Sequence, residues 1–184
     1  YLVGQVITIF LVVLIVNASN FSDGIDGLGI TESLKAIILI IIINNQSVFL
    51  GLNFILLVVA SSAIPLYYFN FKNNNKIFLG DSGSLFLGGV ISIGIISLFN
   101  SNLALIGVSS PIIVIICYFY PIVDTLQVTI RRLIKGNSPF KPDKNHIHHI
   151  LLSKGLTHLK VVIIISGLSG ILQFSLLYYA TSLG

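Results

Sequence analysis

Charge is what this chain has least of. Of its 184 residues only ten are Lys or Arg and six are Asp or Glu, 9% in all, against roughly 25% in soluble domains. With 55% hydrophobic residues and a mean hydropathy of +1.00, that shortage excludes a soluble globular domain and leaves a membrane protein. A net charge of +4 would point to nucleic acid in a soluble domain. Here Lys- and Arg-rich cytoplasmic loops account for it, so no nucleic-acid partner is expected. There is a single cysteine, Cys117, which excludes an intramolecular disulfide and reads as a packing residue between Ile116 and Tyr118. No secretory signal is visible, because the first apolar run has no basic start and no small-residue cleavage site. Methionine is absent and Tyr1 already borders an apolar segment. The expectation is a single transmembrane domain over 1–184, the C-terminal part of a longer protein. There is no internal repeat and no low-complexity linker.

What is present is one apolar run after another. A helix needs about 20 apolar residues to cross ~30 Å of hydrocarbon. Candidate spans cover 2–16, 30–44, 50–69, 85–99, 108–133 and 159–181. The expected fold is therefore all-α, a polytopic membrane bundle of about six transmembrane helices. The run to 133 exceeds one span, with Pro111 and Pro121 as expected kinks. Pro65 is tolerable near the end of its span, and Lys35 is expected to snorkel to the interface. Six spans with short connections alternate in direction, so 17–29, 70–84 and 131–158 share a side. The other side, 44–49, 100–102 and the C-terminal tail, holds no Lys or Arg, which makes the first side cytoplasmic. All six acids, Asp23, Asp26, Glu32, Asp81, Asp124 and Asp143, also map there. Acids steer orientation little, so one site on that face is the economical cause.

Three segments carry chemistry. Asn17-Ala18-Ser19-Asn20-Phe21-Ser22-Asp23-Gly24-Ile25-Asp26-Gly27-Leu28 sets two carboxamides and two carboxylates at every third position. Their oxygens suit a hard cation such as Mg²⁺, and glycines let backbone approach a phosphate. In a helix, neighbours three apart share a face but the first and last of the four do not, so the group is expected around a rim. The sequons at Asn17 and Asn20 fall on the cytoplasmic side and are disregarded. In Phe78-Leu79-Gly80-Asp81-Ser82-Gly83-Ser84, Asp81 or Ser82 reads either as a helix N-cap or as a metal ligand. In the third segment, Lys135 to His149, three imidazoles, His146, His148 and His149, lie within four residues. No cysteine is near and the spacing matches no common zinc pattern. Five Lys or Arg from Arg131 to Lys144 favour an anionic ligand, or attraction to anionic headgroups. Asp124 lies about 10–12 Å before Arg131 and Arg132 along a helix and is expected to be turned inward and paired. His158, alone at a span start, is expected at the interface.

Together, in order and spacing, these segments resemble the polyprenyl-phosphate N-acetylhexosamine-1-phosphate transferases, glycosyltransferase family 4. The resemblance covers essentially the whole chain, as the C-terminal half of a member. Arg131-Arg132, Gly136-Asn137-Ser138-Pro139-Phe140-Lys141-Pro142-Asp143 and His146-Ile147-His148-His149 look most like the branch that uses UDP-N-acetylglucosamine for O-antigen, common-antigen or teichoic-acid linkage synthesis. The implied reaction joins N-acetylglucosamine 1-phosphate from that donor to undecaprenyl phosphate and releases UMP. The resemblance further implies Mg²⁺, with Mn²⁺ as alternative, held by Asp81 and Asn20. Phe78 would stack on uracil and Asp23 and Asp26 would line the nucleotide-sugar pocket, with His146, His148 and His149 over the diphosphate or sugar. Asn17, Asp124, Arg131 and Lys141 are taken as further binding residues. Implied partners are a UDP-N-acetylhexosamine, undecaprenyl phosphate and the bilayer of a bacterial cytoplasmic membrane, with a homodimer as candidate assembly. The alternative within the family is the phospho-N-acetylmuramoyl-pentapeptide transferase of peptidoglycan synthesis. A non-catalytic relative that binds lipid phosphate is a second. From another class comes an ion-coupled transporter, which would place its ligands near mid-bilayer. The family's earlier pair of adjacent aspartates is missing here, so 1–184 alone is expected to have little or no transferase activity.

Overall fold

Apolar runs of this length satisfy their backbone groups within lipid only as helices or closed barrels, and this chain takes the helical solution. The computed structural model describes residues 2–44, 50–72, 74–100, 110–138 and 146–182, which contain helices and no strand. In chain order the helices are α1 (Leu2–Ser22), α2 (Leu28–Asn44), α3 (Leu50–Asn70), α4 (Gly80–Asn100), α5 (Ser110–Cys117), α6 (Phe119–Ile134), α7 (Ile147–Ser153) and α8 (His158–Ser182). Among the described residues four stretches are long and apolar enough to cross a membrane: Leu2–Ser22, Gly51–Asn70, Gly80–Phe99 and His158–Tyr179. Their outer faces leave large apolar side chains uncovered, among them Leu2 (76% exposed), Phe54 (67%) and Ile171 (66%). Such a surface belongs against lipid. The protein is a polytopic membrane helix bundle.

The other two expected spans take different forms. Helix α2 has 17 residues, about 25 Å, and carries Glu32 and Lys35 in its first half. Lys35 does not snorkel. Its Nζ donates to both Glu32 carboxylate oxygens at 3.0 Å and, on α8, to the Ser166 carbonyl at 3.2 Å and Ser169 Oγ at 2.5 Å. Ser166 Oγ donates to Glu32 Oε1 at 2.7 Å. The reason is Glu32 itself, which is 1% exposed and needs a counter-charge and hydrogen bonds once out of water. Glu32 thus leaves the group of acids expected at the site and becomes a strut between α2 and α8. Glu32→Ala is expected to lower stability by about 3 kcal/mol, the low end for a buried pair because Lys35 keeps some solvent contact. A thermal midpoint in detergent equal to wild type would contradict this.

Of the expected fifth span, 108 and 109 lie outside the described residues, and the rest is two helices meeting at Tyr118. Pro121 explains the break. It has no N–H for the carbonyl four residues back, and its ring crowds that carbonyl, which is Cys117. Gln173 on α8 compensates, donating Nε2–H to the Cys117 carbonyl at 3.3 Å. Pro111 is the second residue of α5, and the residues before Ser110, where its expected kink would fall, lie outside the described residues.

Helix α1 packs along α4 more extensively than any other pair. A Cβ at Gly88 would come within 2.8 Å of Val16 Cα, so only glycine allows this approach. Around that contact Ile15, Ile37, Ile91, Ile95, Tyr118 and Ile122 form the main core. A second cluster, Ile25, Leu28, Tyr120, Val161, Val162 and Ile165, supports Ile147 and Leu151 of α7. Helix α1 continues to Ser22, six residues past its expected end. Asn17 and Asn20 therefore stand on a helix while Asp23 to Gly27 form the turn into α2.

Candidate active site

The turn after α1 is held from several directions. Gly27 has φ +77°, a left-handed value that favours glycine, and its N–H donates to Asn70 Oδ1 at 2.6 Å. The Asn70 Nδ2 donates to the Ile77 carbonyl at 3.0 Å. One buried carboxamide thus ties the turn to the segment entering α4. Asp26 Oδ2 meets two partners, the Lys76 ammonium in an ion pair and His158 Nδ1 at 2.7 Å. Beside them a cavity of about 340 Å³ is lined by Asp23, Gly24, Asp26, Lys76, Phe78 and His158, with Ile25 and Asn70. The Phe78 ring is 66% exposed, with Lys76 Nζ 5.1 Å from its centroid. An aromatic ring at the edge of a charged pocket offers a planar ligand a stacking partner.

Next to this pocket α1 and α4 exchange polar contacts. Asn20 Nδ2 donates to Asp81 Oδ1 at 3.1 Å and to Ser84 Oγ at 3.0 Å. Ser19 Oγ donates to the Ser84 carbonyl at 2.8 Å. Asp81, in the first turn of α4, is thus bound across helices. Burial pushes the Asp23 carboxyl up to about 7, the Gly80 backbone N–H pulls it back, and the charges of Asp81 and Asp26 push it further up. Carboxylates that crowd one another this way are relieved by a cation. Asp81, Asp23 and the Asn20 carboxamide are hard oxygen donors, and Mg²⁺ takes one or two carboxylates and completes its shell with water and substrate phosphates. The donor set fits that ion. Among the described residues no three His, Cys, Asp or Glu converge to hold a metal by themselves.

The histidines sit on the other side of the same turn. His146 Nδ1 meets Asp124 Oδ2 at 2.7 Å, and the Ile147 N–H donates to Asp124 Oδ1 at 2.9 Å. His148 Nδ1 meets the Tyr120 hydroxyl at 3.0 Å. The His146 and His148 rings stack at 5.4 Å and 17°, His149 lies 4.4 Å from His148, and Phe21 lies 5.6 Å from His146. Burial lowers His148 to about 4, with His149 and His146 adding to the effect and Asp124 opposing it, so its imidazole is neutral near pH 7. Its Nε2 has no hydrogen-bond partner and faces Gly24, where a Cβ would stand 2.5 Å away.

The three sequence segments thus meet at one end of the bundle. Asn20, Asp23, Asp26, Phe78, Asp81, Asp124, His146, His148 and His149 fall within it. Asn17 does not. It is exposed and donates Nδ2 to its own helix at the Val13 carbonyl, 2.7 Å away. Arg131 is exposed near the end of α6, with no contact to the pocket, and Lys141 lies outside the described residues. Sequence reasoning missed Asn70, Lys76 and Tyr120 and set His158 at the interface. Each is a single polar residue without a motif around it, and only the fold brings them to Asp26, Gly27 and His148.

A family model described as glycosyl transferase family 4 matches residues 1–99. The chain is 38% identical over 163 residues to a protein of Bacillus subtilis named "Probable undecaprenyl-phosphate N-acetylglucosaminyl 1-phosphate transferase", covering 86% of this chain and 43% of that one. It is 34% identical to a "Decaprenyl-phosphate N-acetylglucosaminephosphotransferase" of Mycobacterium leprae, over 91% of this chain and 46% of the relative. With the Escherichia coli K12 "Undecaprenyl-phosphate alpha-N-acetylglucosaminyl 1-phosphate transferase" the identity is 31%, over 89% and 44%. The chain spans a little under half the length of these relatives.

Proposed function

The chain belongs to glycosyl transferase family 4, and from that premise we propose that the full-length protein transfers N-acetylglucosamine 1-phosphate from UDP-N-acetylglucosamine to undecaprenyl phosphate. An oxygen of the lipid phosphate attacks the β-phosphorus of the donor. The new bond makes undecaprenyl-diphospho-N-acetylglucosamine, and the bond to the α-phosphate oxygen breaks to release UMP. The observation that carries this reading is the convergence of Asp23, Asp26, Phe78, Asp81 and His148 around one turn at the end of apolar helices. A lipid-borne phosphate and a water-borne nucleotide can meet only at such a boundary, here taken as the cytoplasmic one.

The residues divide the work. Phe78 stacks the base, and Lys76 and His158, shared with Asp26, face the nucleotide's polar groups. A phosphate monoester has its second pKa near 6, so the acceptor arrives largely ionised and alignment matters more than a strong base. Asp23 and Asp26 line the nucleotide-sugar pocket. The histidines, fixed by Asp124 and Tyr120, donate to phosphate oxygens where charge builds. Asp81 and Asn20 would hold Mg²⁺, which supplies charge neutralisation at the diphosphate when bound. The transporter reading gains no support, since Asp124 is engaged with His146 and the Ile147 backbone.

The test is an assay of the full-length protein in undecaprenyl phosphate micelles with a panel of UDP-sugars. UMP release that needs both substrates, prefers UDP-N-acetylglucosamine and stops with chelator is the expected result. Release of UDP in place of UMP, or turnover without the lipid, would overturn the proposal.

A further inference from the structure

Helix α6 grips the start of α7 with two side chains one turn apart. Tyr120 and Asp124, four residues apart, share a face, and each meets the Nδ1 of one imidazole, His148 and His146 respectively. Both clamps are dry: Tyr120 is 5% exposed, Asp124 2%, His146 6% and His148 0%. A neutral imidazole carries one N–H, and which nitrogen bears it follows from the bond the other makes. The Tyr120 hydroxyl has His148 Nδ1 as its hydrogen-bond partner. If Nδ1 donated to it, the phenolic proton would be left in a dry site without an acceptor, which is costly. The phenol therefore donates to Nδ1, and the imidazole proton goes to Nε2. That nitrogen is buried and unpartnered, and it is covered by Gly24 of the turn that bears Asp23 and Asp26.

We propose that Tyr120 is a positioning residue that locks His148 as its Nε2–H tautomer and aims that donor across Gly24 at an anionic oxygen of the bound nucleotide-sugar's diphosphate. The bond forms as the turn shifts to seat the donor, consistent with catalytic contacts that tighten only in the complex. The role in turnover rests on the function proposed above; the tautomer does not.

Nitrogen-15 NMR of the full-length protein labelled at histidine, with His148→Gln identifying the signal, reads the tautomer directly. The expected pattern is a protonated Nε2 and a bare Nδ1 for His148, changing to a tautomer mixture in Tyr120→Phe. In the transfer assay Tyr120→Phe should lose about tenfold in kcat with the KM for UDP-N-acetylglucosamine within about twofold, since the lost interaction acts mainly in the transition state. In a His148→Gln background the same substitution should have no further effect, because Tyr120 acts through that ring. A wild-type His148 protonated on Nδ1 overturns the inference whatever any variant does. An equal loss from Tyr120→Phe with His148→Gln present also overturns it, since the residue would then be merely structural. A wild-type protein showing the Nε2–H form but releasing no UMP would sink the proposed function and leave the tautomer standing.

Discussion

Asp81→Asn in the full-length protein is expected to remove transfer by about 10²–10³-fold or more, with membrane abundance unchanged and the thermal midpoint within a few degrees of wild type. The side chain is exposed at the start of α4 and contributes no core packing. An asparagine there keeps the shape and still accepts from Asn20 Nδ2, the bond now made at 3.1 Å. What it loses is the negative charge beside Asp23, and with it the strongest hard donor for a cation next to the diphosphate. Two readouts separate this from a local folding defect. Titration with Mg²⁺ or Mn²⁺ should move the residual rate to higher metal concentration. Asp23 should also titrate lower in the variant, because the Asp81 charge is one of the influences that raise it towards 7. Full transfer by Asp81→Asn at wild-type Mg²⁺ would remove Asp81 from the metal site.

Much of the site was legible because its chemistry is local in sequence. Asn20, Asp23 and Asp26 lie within seven residues, Phe78 and Asp81 within four, and the three histidines within four. The all-helical class followed from apolar run length, and the break after Cys117 from Pro121. The parts that were not legible depend on partners far along the chain. Asp26 meets Lys76 50 residues later and His158 132 residues later, and nothing in a lone Lys or His names its partner. Lys35 looks like a snorkelling lysine until Ser166 and Ser169 of α8 are placed against Glu32. Asn17 shares the three-residue spacing of the rim, yet α1 stays helical through Ser22 and the chain turns only at Asp23. Two of the four groups are therefore carried on a helix, and two are swung over its end. The period alone could not say where helix gives way to turn.

Gly24→Ala is expected to cost activity far more than stability: transfer down about 100-fold, for a stability loss of about 1–3 kcal/mol from overpacking. The added methyl would stand 2.5 Å from His148 Nε2 and 3.3–3.4 Å from Cε1 and Cδ2. The imidazole cannot retreat. Tyr120 holds its Nδ1 at 3.0 Å, and the rings of His146 and His149 lie 5.4 and 4.4 Å away. The turn must move instead, carrying Asp23 away from the Gly80 N–H and Asp26 away from Lys76 and His158. Misplacing reacting groups by about 1 Å is enough for a 10²-fold loss. Backbone strain is not the cause, because Gly24 is not among the positive-φ glycines. Gly89→Ala, where nothing lies within 4 Å of the new methyl, is the control and should be silent. Adding His148→Ala to Gly24→Ala should give a combined stability loss smaller than the sum of the two single losses, because the clash is gone, and leave transfer low because the donor is gone. Wild-type transfer in Gly24→Ala would mean that His148 does not pack against the turn in the state that carries out transfer.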